Sequence, residues 1–120
     1  MKYLGFLVIA IIFSAASCEE LYSDKYDNLN VDEALANTEV RETYFNCFMD
    51  KGPCGEDATY WKSNFPEAIA TNCRKCTEWQ KGAFDKIAVW YTAHEPDNWN
   101  LFVDKMVQEA KARNIDDSRK

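Results

Sequence analysis

Four cysteines are the reactive side chains whose spacing says most about this chain of 120 residues. They are Cys47, Cys54, Cys73 and Cys76, with six, eighteen and two residues between successive members. Thiols at such spacings form structural disulfides, bind zinc, or act as a redox pair. The compartment in which the protein folds helps to decide among these three, because disulfides persist in oxidising surroundings.

Residues 1–18 have the features of a secretory signal peptide. Lys2 provides the positive start, residues 4–13 form an apolar run, and small residues at 14–17 suit cleavage near residue 17 or 18. The run is shorter than the roughly 20 apolar residues that cross a bilayer, and no later stretch is as long. The sequence therefore predicts a secreted, extracellular protein without a membrane span.

Secretion favours two disulfides over a zinc site or a working thiol pair. Four cysteines allow three pairings, and the sequence alone does not select one. Short local loops favour Cys47–Cys54 and Cys73–Cys76, since Cα atoms at i and i+3 of a helix are about 5–6 Å apart. The fifth cysteine, Cys18, is either removed with the signal or left as a free N-terminal thiol.

Residues 19–120 are predicted to form one domain of 102 residues (120 − 18), which can bury a small core with help from disulfides. Without Lys2 the chain has 13 basic and 20 acidic residues, a net charge of −7. An acidic surface disfavours nucleic acid and anionic membranes as partners. We expect a monomer.

Catalytic motifs are scarce in the sequence. His94 is the one histidine, and a histidine without an orienting partner more often caps helix carbonyls or meets solvent than acts as a base. No nucleophile elbow, phosphate-binding glycine loop or histidine-containing metal motif appears. We therefore predict no enzyme activity, no cofactor and no metal site.

Helical patterns dominate, and strand patterns are nearly absent. The predicted helices cover about residues 31–37, 39–50, 56–63, a segment opened by Pro66, 73–94, and a last segment opened by Pro96. The inner face of the longest helix is predicted to carry Cys76, Gln80, Phe84, Ile87 and Tyr91. Trp79 and Trp90 lie away from that stripe, so this helix is either buried on two sides or presents these rings to a partner.

Aromatic residues are abundant for a small domain, with four Trp, six Tyr and seven Phe. Large rings either fill a core completely or line an apolar cavity whose polar edge is supplied by tyrosine hydroxyls. Composition alone leaves both interpretations open.

Several short segments accompany the cysteine spacing. They are Lys25-Tyr26-Asp27-Asn28, Asp50-Lys51-Gly52-Pro53-Cys54, Asn72-Cys73-Arg74-Lys75-Cys76-Thr77-Glu78 with Gln80, and Pro96 with Trp99. By this spacing and these segments the chain resembles the insect chemosensory protein family, also called OS-D-like proteins, over about residues 22–105. The resemblance implies six helices around an apolar channel, disulfides Cys47–Cys54 and Cys73–Cys76, and a secreted carrier of small hydrophobic ligands.

The chain also departs from the family pattern. Family members continue after the position of Met106 with a Tyr/Asp-Pro segment and a final helix, whereas this sequence runs straight on, so that helix is either fused to the preceding one or missing. Asn64 stands where an aliphatic residue is common, and Trp61 at a usual leucine. Trp79, Val89 and Trp90 stand where polar residues are common.

We therefore predict a compact all-α bundle of five or six helices around an apolar channel, with two local disulfides. It would bind fatty-acyl compounds or semiochemicals through the wall residues Tyr26, Tyr44, Phe48, Phe65, Ile69, Phe84, Ile87 and Tyr91. The alternative is a secreted protein-interaction module with a filled core and an exposed Trp79/Trp90 patch. A third hypothesis is a thiol–disulfide oxidoreductase using Cys73 and Cys76, which needs a βαβ context that the sequence does not show.

Overall fold

The computed structural model describes residues 20–115, and these residues form α-helices and no β-strand. The helices are α1 (Val31–Ala36), α2 (Thr38–Phe48), α3 (Glu56–Ala70), α4 (Glu78–His94) and α5 (Pro96–Ala112). The predicted all-α bundle with two disulfides is therefore confirmed. The predicted signal peptide and Cys18 lie outside the described residues.

Two asparagines are the N-cap residues of the first two helices. The Asn30 side chain accepts a hydrogen bond from the Glu33 amide at 3.0 Å and starts α1. Asn37 has two roles. Its extended backbone ends α1, and its side chain caps α2 by accepting a hydrogen bond from the Val40 amide at 3.1 Å. The first two helices therefore meet at a sharp corner one residue long.

The helix break predicted before Pro66 is wrong, because α3 continues from Glu56 to Ala70 with Pro66 inside it. Proline has no amide to bond to the Lys62 carbonyl and disfavours a helix interior. The Pro66 side chain is nevertheless fully buried, and Ala68, Ile69 and Ala70 after it are buried as well. Burial on the C-terminal side of the proline offsets its local cost and keeps the helix in one piece.

Helix α4 begins at Glu78, five residues later than predicted. Asn72 and Cys73 have positive φ angles of 54° and 61°, which ends the preceding helix and makes a tight connection. Thr77 then starts α4 with a capping box, in which its hydroxyl accepts from the Gln80 amide and its own amide donates to the Gln80 side chain.

Each disulfide closes a short connection between helices. Cys47–Cys54 joins the end of α2 to the loop before α3, with Cα atoms 5.1 Å apart. Cys73–Cys76 closes the connection between α3 and α4, with Cα atoms 5.0 Å apart. The pairing implied by the family resemblance is the one found.

Helix α5 packs along α3 and against α4, while α1 packs on α2 and α4. The buried side chains form two clusters, one of Val31, Leu35 and Tyr91 and one of Ile69, Phe102 and Met106. Beyond Met106 the chain stays helical to Ala112, so this part of it is a continuation of α5. None of the helices within residues 20–115 has the length and apolar character needed to cross a membrane.

Candidate ligand-binding site

A cavity of about 130 Å³ lies between the helices, and its wall is almost entirely apolar. All five helices contribute side chains to the wall, and Tyr22 and Leu29 from the segment before α1 complete it. Because each helix turns its apolar stripe inward, the stripes of five helices meet around one space. The bundle therefore encloses a site suited to an apolar molecule.

Six of the eight predicted wall residues line this cavity: Tyr44, Phe48, Phe65, Phe84, Ile87 and Tyr91. The other two do not. Tyr26 lies on the outside, where its hydroxyl donates to Glu56 at 2.8 Å and its ring contacts Tyr60. Ile69 is buried with Phe102 and Met106 between α3 and α5. Ligand contact by these residues stays a prediction.

Sequence reasoning missed several wall residues. They are chiefly large apolar side chains that were not included among the predicted wall residues: Leu35, Phe45, Trp61, Trp79, Trp99 and Phe102. A signal was present in α4, where Trp79, Ala83 and Ile87 repeat every four residues and form a second inward stripe beside the predicted one. This helix has a wide inner face rather than a narrow one.

The rings around the cavity meet one another both stacked and edge to face. Stacked pairs include Tyr44 with Phe48 and Trp99 with Phe102. Phe65 makes the edge contacts, with ring centroids 4.8 Å from Phe48, 5.4 Å from Phe102 and 5.9 Å from Phe84. Both arrangements are favourable for aromatic rings.

Trp79 and Trp90 do not form a shared exposed patch. Both rings are partly buried and pack against the cluster of Val31, Leu35 and Tyr91. Trp79 also lines the cavity and stacks on Trp61 with centroids 6.1 Å apart. Helix α4 is therefore buried on more than one side, which was the other possibility that the sequence left open.

Tyrosine hydroxyls supply polar points on the apolar wall. Tyr44 donates to Asp57 Oδ2 at 2.5 Å, and burial together with this bond raises the Tyr44 pKa to about 12. Burial likewise raises the Tyr91 pKa to about 12 and the Tyr22 pKa well above its usual value. These hydroxyls are protonated near neutral pH. Tyr44 and Tyr22 already donate their protons to Asp57 and Glu67, so Tyr91 is the one of the three with a proton left to donate to a ligand.

The segment before α1 is fastened over the start of α4. Gln80 Nε2 donates to the Ser23 carbonyl at 3.0 Å and to Asp27 at 2.9 Å. Tyr22 donates from its amide to the Lys75 carbonyl at 2.9 Å and from its hydroxyl to Glu67 at 2.6 Å. These bonds hold Tyr22 in the cavity wall.

The cysteines and His94 show no catalytic arrangement in residues 20–115. Cys47, Cys54, Cys73 and Cys76 are all joined in disulfides, and the described part of the chain has no strand that could provide a βαβ context for Cys73 and Cys76. His94 lies on the outer side of α4, where Nδ1 is 2.9 Å from the Trp90 carbonyl and the ring stacks on Trp90. This is the carbonyl-capping role typical of a histidine near a helix end.

Comparison with known proteins identifies the family of the chain. Residues 22–114 match the model of the insect pheromone-binding family, A10/OS-D. The chain belongs to the A10/OS-D family. The resemblance drawn from the cysteine spacing and flanking motifs is therefore confirmed.

Members of the A10/OS-D family with sequences or structures similar to this one span most of the chain. Ejaculatory bulb-specific protein 3 of Drosophila melanogaster is 34% identical over 96 residues, which are 80% of this chain and 75% of that protein. A solved chemosensory protein in complex with bromo-dodecanol is 33% identical with a TM-score of 0.70, covering 78% of this chain and 93% of that one. Antennal chemosensory protein A6 of the moth Mamestra brassicae is also 33% identical, with a TM-score of 0.58 over 78% of this chain and 96% of that one.

Proposed function

We propose that this protein is a carrier that encloses small, mostly apolar molecules in the cavity between its helices. The observation that carries the proposal is the nearly continuous apolar wall to which all five helices contribute. The chemosensory protein of the same family solved with bromo-dodecanol supports an alkyl chain with one polar end as the ligand type. Binding would consist of burial without a chemical step.

The size of the cavity limits what enters without rearrangement. A volume of about 130 Å³ is near that of an engineered cavity that takes benzene, about 150 Å³, and below the roughly 300–1,000 Å³ of ordinary ligand pockets. A long alkyl chain must therefore displace wall rings. Phe48, Phe65 and Phe84 are the rings to move, because they line the cavity and are only partly buried. Each methylene removed from water contributes about 0.8 kcal/mol, which offsets that rearrangement.

We also propose that the protein is secreted. The predicted signal peptide and the two disulfides suit secretion into an extracellular fluid. A carrier of this kind acts as a monomer, since its binding site is built from one chain. It has no enzymatic role.

Displacement of an apolar fluorescent dye by alcohols of increasing chain length tests the carrier function on purified residues 19–120. Affinity should rise with each methylene until the opened cavity is full, and then level off. Absence of saturable displacement at every chain length would refute the proposal.

A cavity-filling variant makes the test specific for the site. Ala83→Phe places a ring in the wall between Trp79 and Ile87 and should lower alcohol affinity about tenfold or more, the equivalent of 1.4 kcal/mol. Ala112→Phe, at the exposed end of α5, is the matched control and should bind as the unaltered protein does. Equal affinities for the two variants would place the ligand elsewhere. Circular dichroism checks that both variants are folded.

A further inference from the structure

We propose, building on the carrier function above, that Arg41 binds the head group of an anionic ligand, so that the cavity selects long-chain carboxylates over alcohols of the same length. Within residues 20–115, Arg41 is the one charged residue that lines the cavity. Its side chain is 13% exposed. A cation in an apolar wall favours a closely bound anion, because a buried charge is costly unless it is paired and hydrogen-bonded.

The guanidinium of Arg41 is incompletely satisfied by the protein. Nη1 donates to the Leu35 carbonyl at 2.6 Å, and the guanidinium lies 4.2 Å from the centre of the Trp90 ring. Nε is buried and has no hydrogen-bond partner in the described chain. The nearest carboxylate oxygen, Oε2 of Glu95, is 3.6 Å from Nη2, longer than the 2.7–2.9 Å of a charge-assisted hydrogen bond.

Glu95 is a counter-ion that a ligand can replace. Its side chain is one-third exposed, and its other carboxylate oxygen already accepts from Asn98 Nδ2 at 2.8 Å. Moving Oε2 into water therefore costs little, since solvent and Asn98 continue to satisfy the group. A ligand carboxylate would take over the ion pair with Arg41 and would bind the donors that Glu95 does not reach.

Tyr91 provides a second donor in the same cavity wall as Arg41. It lines the cavity, is buried, and its hydroxyl makes no hydrogen bond with another residue of the described chain. Burial is the main cause that raises the Tyr91 pKa to about 12; Glu95 and Glu42 also raise it and Arg41 lowers it. The hydroxyl is therefore protonated near neutral pH. A cation and a phenol donor in one cavity wall are the groups that recognise a carboxylate.

The first test compares dodecanoate with dodecanol as displacers of the apolar dye, at a pH well above the ordinary carboxyl pKa. The readout is the ratio of the two dissociation constants, which cancels changes that affect both ligands alike. Arg41→Met should shift this ratio against dodecanoate by about tenfold or more, because a hydrogen bond to a charged group contributes about 1.5–3 kcal/mol. Lys111→Met removes an exposed positive charge from α5 and should leave the ratio unchanged. Equal ratios in the Arg41→Met and unaltered proteins would overturn the proposal.

Two further measurements do not depend on the stability of the Arg41 variant. Glu95→Gln removes the competing carboxylate and should shift the ratio toward dodecanoate, whereas an unchanged ratio counts against the proposal.

NMR titration of isotope-labelled dodecanoate bound to the unaltered protein should give a carboxyl pKa below that of the free acid in water. A bound carboxyl that titrates as it does in water overturns the head-group site while leaving the carrier function intact. Failure of both ligands to displace the dye would overturn the carrier function and this proposal with it.

Discussion

At the scale of single residues, Asp50 joins three segments of the chain by charge. It follows α2 with a positive φ of 60°, and its carboxylate pairs with Lys62 on α3 and with Lys105 on α5, the latter at 2.6 Å. Hydrogen bonds to Lys105 and then Lys62 lower the Asp50 pKa from 3.8 to about 2. The charge of one exposed carboxylate therefore helps to hold α5 against α3.

The lowered pKa of Asp50 predicts that the fold loses stability in acid. Because its pKa is lower in the folded chain than in the unfolded chain, its contribution is present above pH 3.8 and is lost as the pH falls toward about 2. Asp50→Asn should flatten this part of the pH dependence, measured as the free energy of unfolding by urea across the acid range. Asparagine tolerates the positive φ, so the backbone is preserved. Asp104→Asn, exposed on α5, is the control; an equal acid slope in Asp50→Asn and the unaltered protein would contradict the prediction.

At the scale of elements, the start of α4 organises the segment before α1. The Thr77 hydroxyl accepts from the Gln80 amide at 3.1 Å and donates to Asp27 at 2.7 Å. The Gln80 side chain in turn holds Ser23 and Asp27. One helix cap therefore also fixes the segment that carries Tyr22 into the cavity wall.

Thr77→Ala should lower the free energy of unfolding by about 1–2 kcal/mol, the usual cost of losing an N-cap hydroxyl. It should also increase hydrogen exchange at the amides of Gln80 and of residues 22–28, because the bond to Asp27 is lost too. Thr92→Ala on the same helix is the control, since its hydroxyl bonds only to carbonyls of its own helix. Comparable unfolding energies for the two variants would show that the capping box does not carry this role.

At the scale of the whole molecule, the interior consists of two buried clusters with the cavity between them. Met106 has no exposed surface and belongs to the cluster of Ile69 and Phe102, but it does not line the cavity. The residues that stabilise the fold are therefore partly separate from those that form the binding wall.

This separation predicts that stability and binding can be changed independently. Met106→Ala should lower the free energy of unfolding by about 2–5 kcal/mol through loss of buried methylenes and the space left behind. Leu101→Ala, at a position 53% exposed on the same helix, should cost under about 0.5 kcal/mol. Dodecanol affinity, measured below the unfolding transition, should be retained in both variants. A large loss of affinity in Met106→Ala would show that the two clusters and the cavity act as one unit.

Much of this architecture follows from local sequence patterns, and the exceptions have physical reasons. The cap at Asn30 and the helix start at Pro96 are signals read within four residues, whereas the prediction started α4 at Cys73 and missed the cap at Thr77. Pro66 misled the prediction because buried side chains elsewhere in the fold offset its local cost. Ile69 is on a helix, where a buried core residue and a cavity-facing residue have the same spacing. Tyr26 is in a turn before α1, where no periodicity indicates which way its side chain points.

The sequence by itself determined the family and the helical class, since cysteine spacing, flanking motifs and cap residues are short-range features. The disulfide pairing followed from the family resemblance and not from the spacing alone. The tertiary structure decided which faces of the helices enclose a space, because that depends on how five separate stripes meet. It also brought Arg41 of α2 next to Glu95, 54 residues later along the chain. No local pattern encodes such a contact, because it arises from the packing of α2 against the junction of α4 and α5.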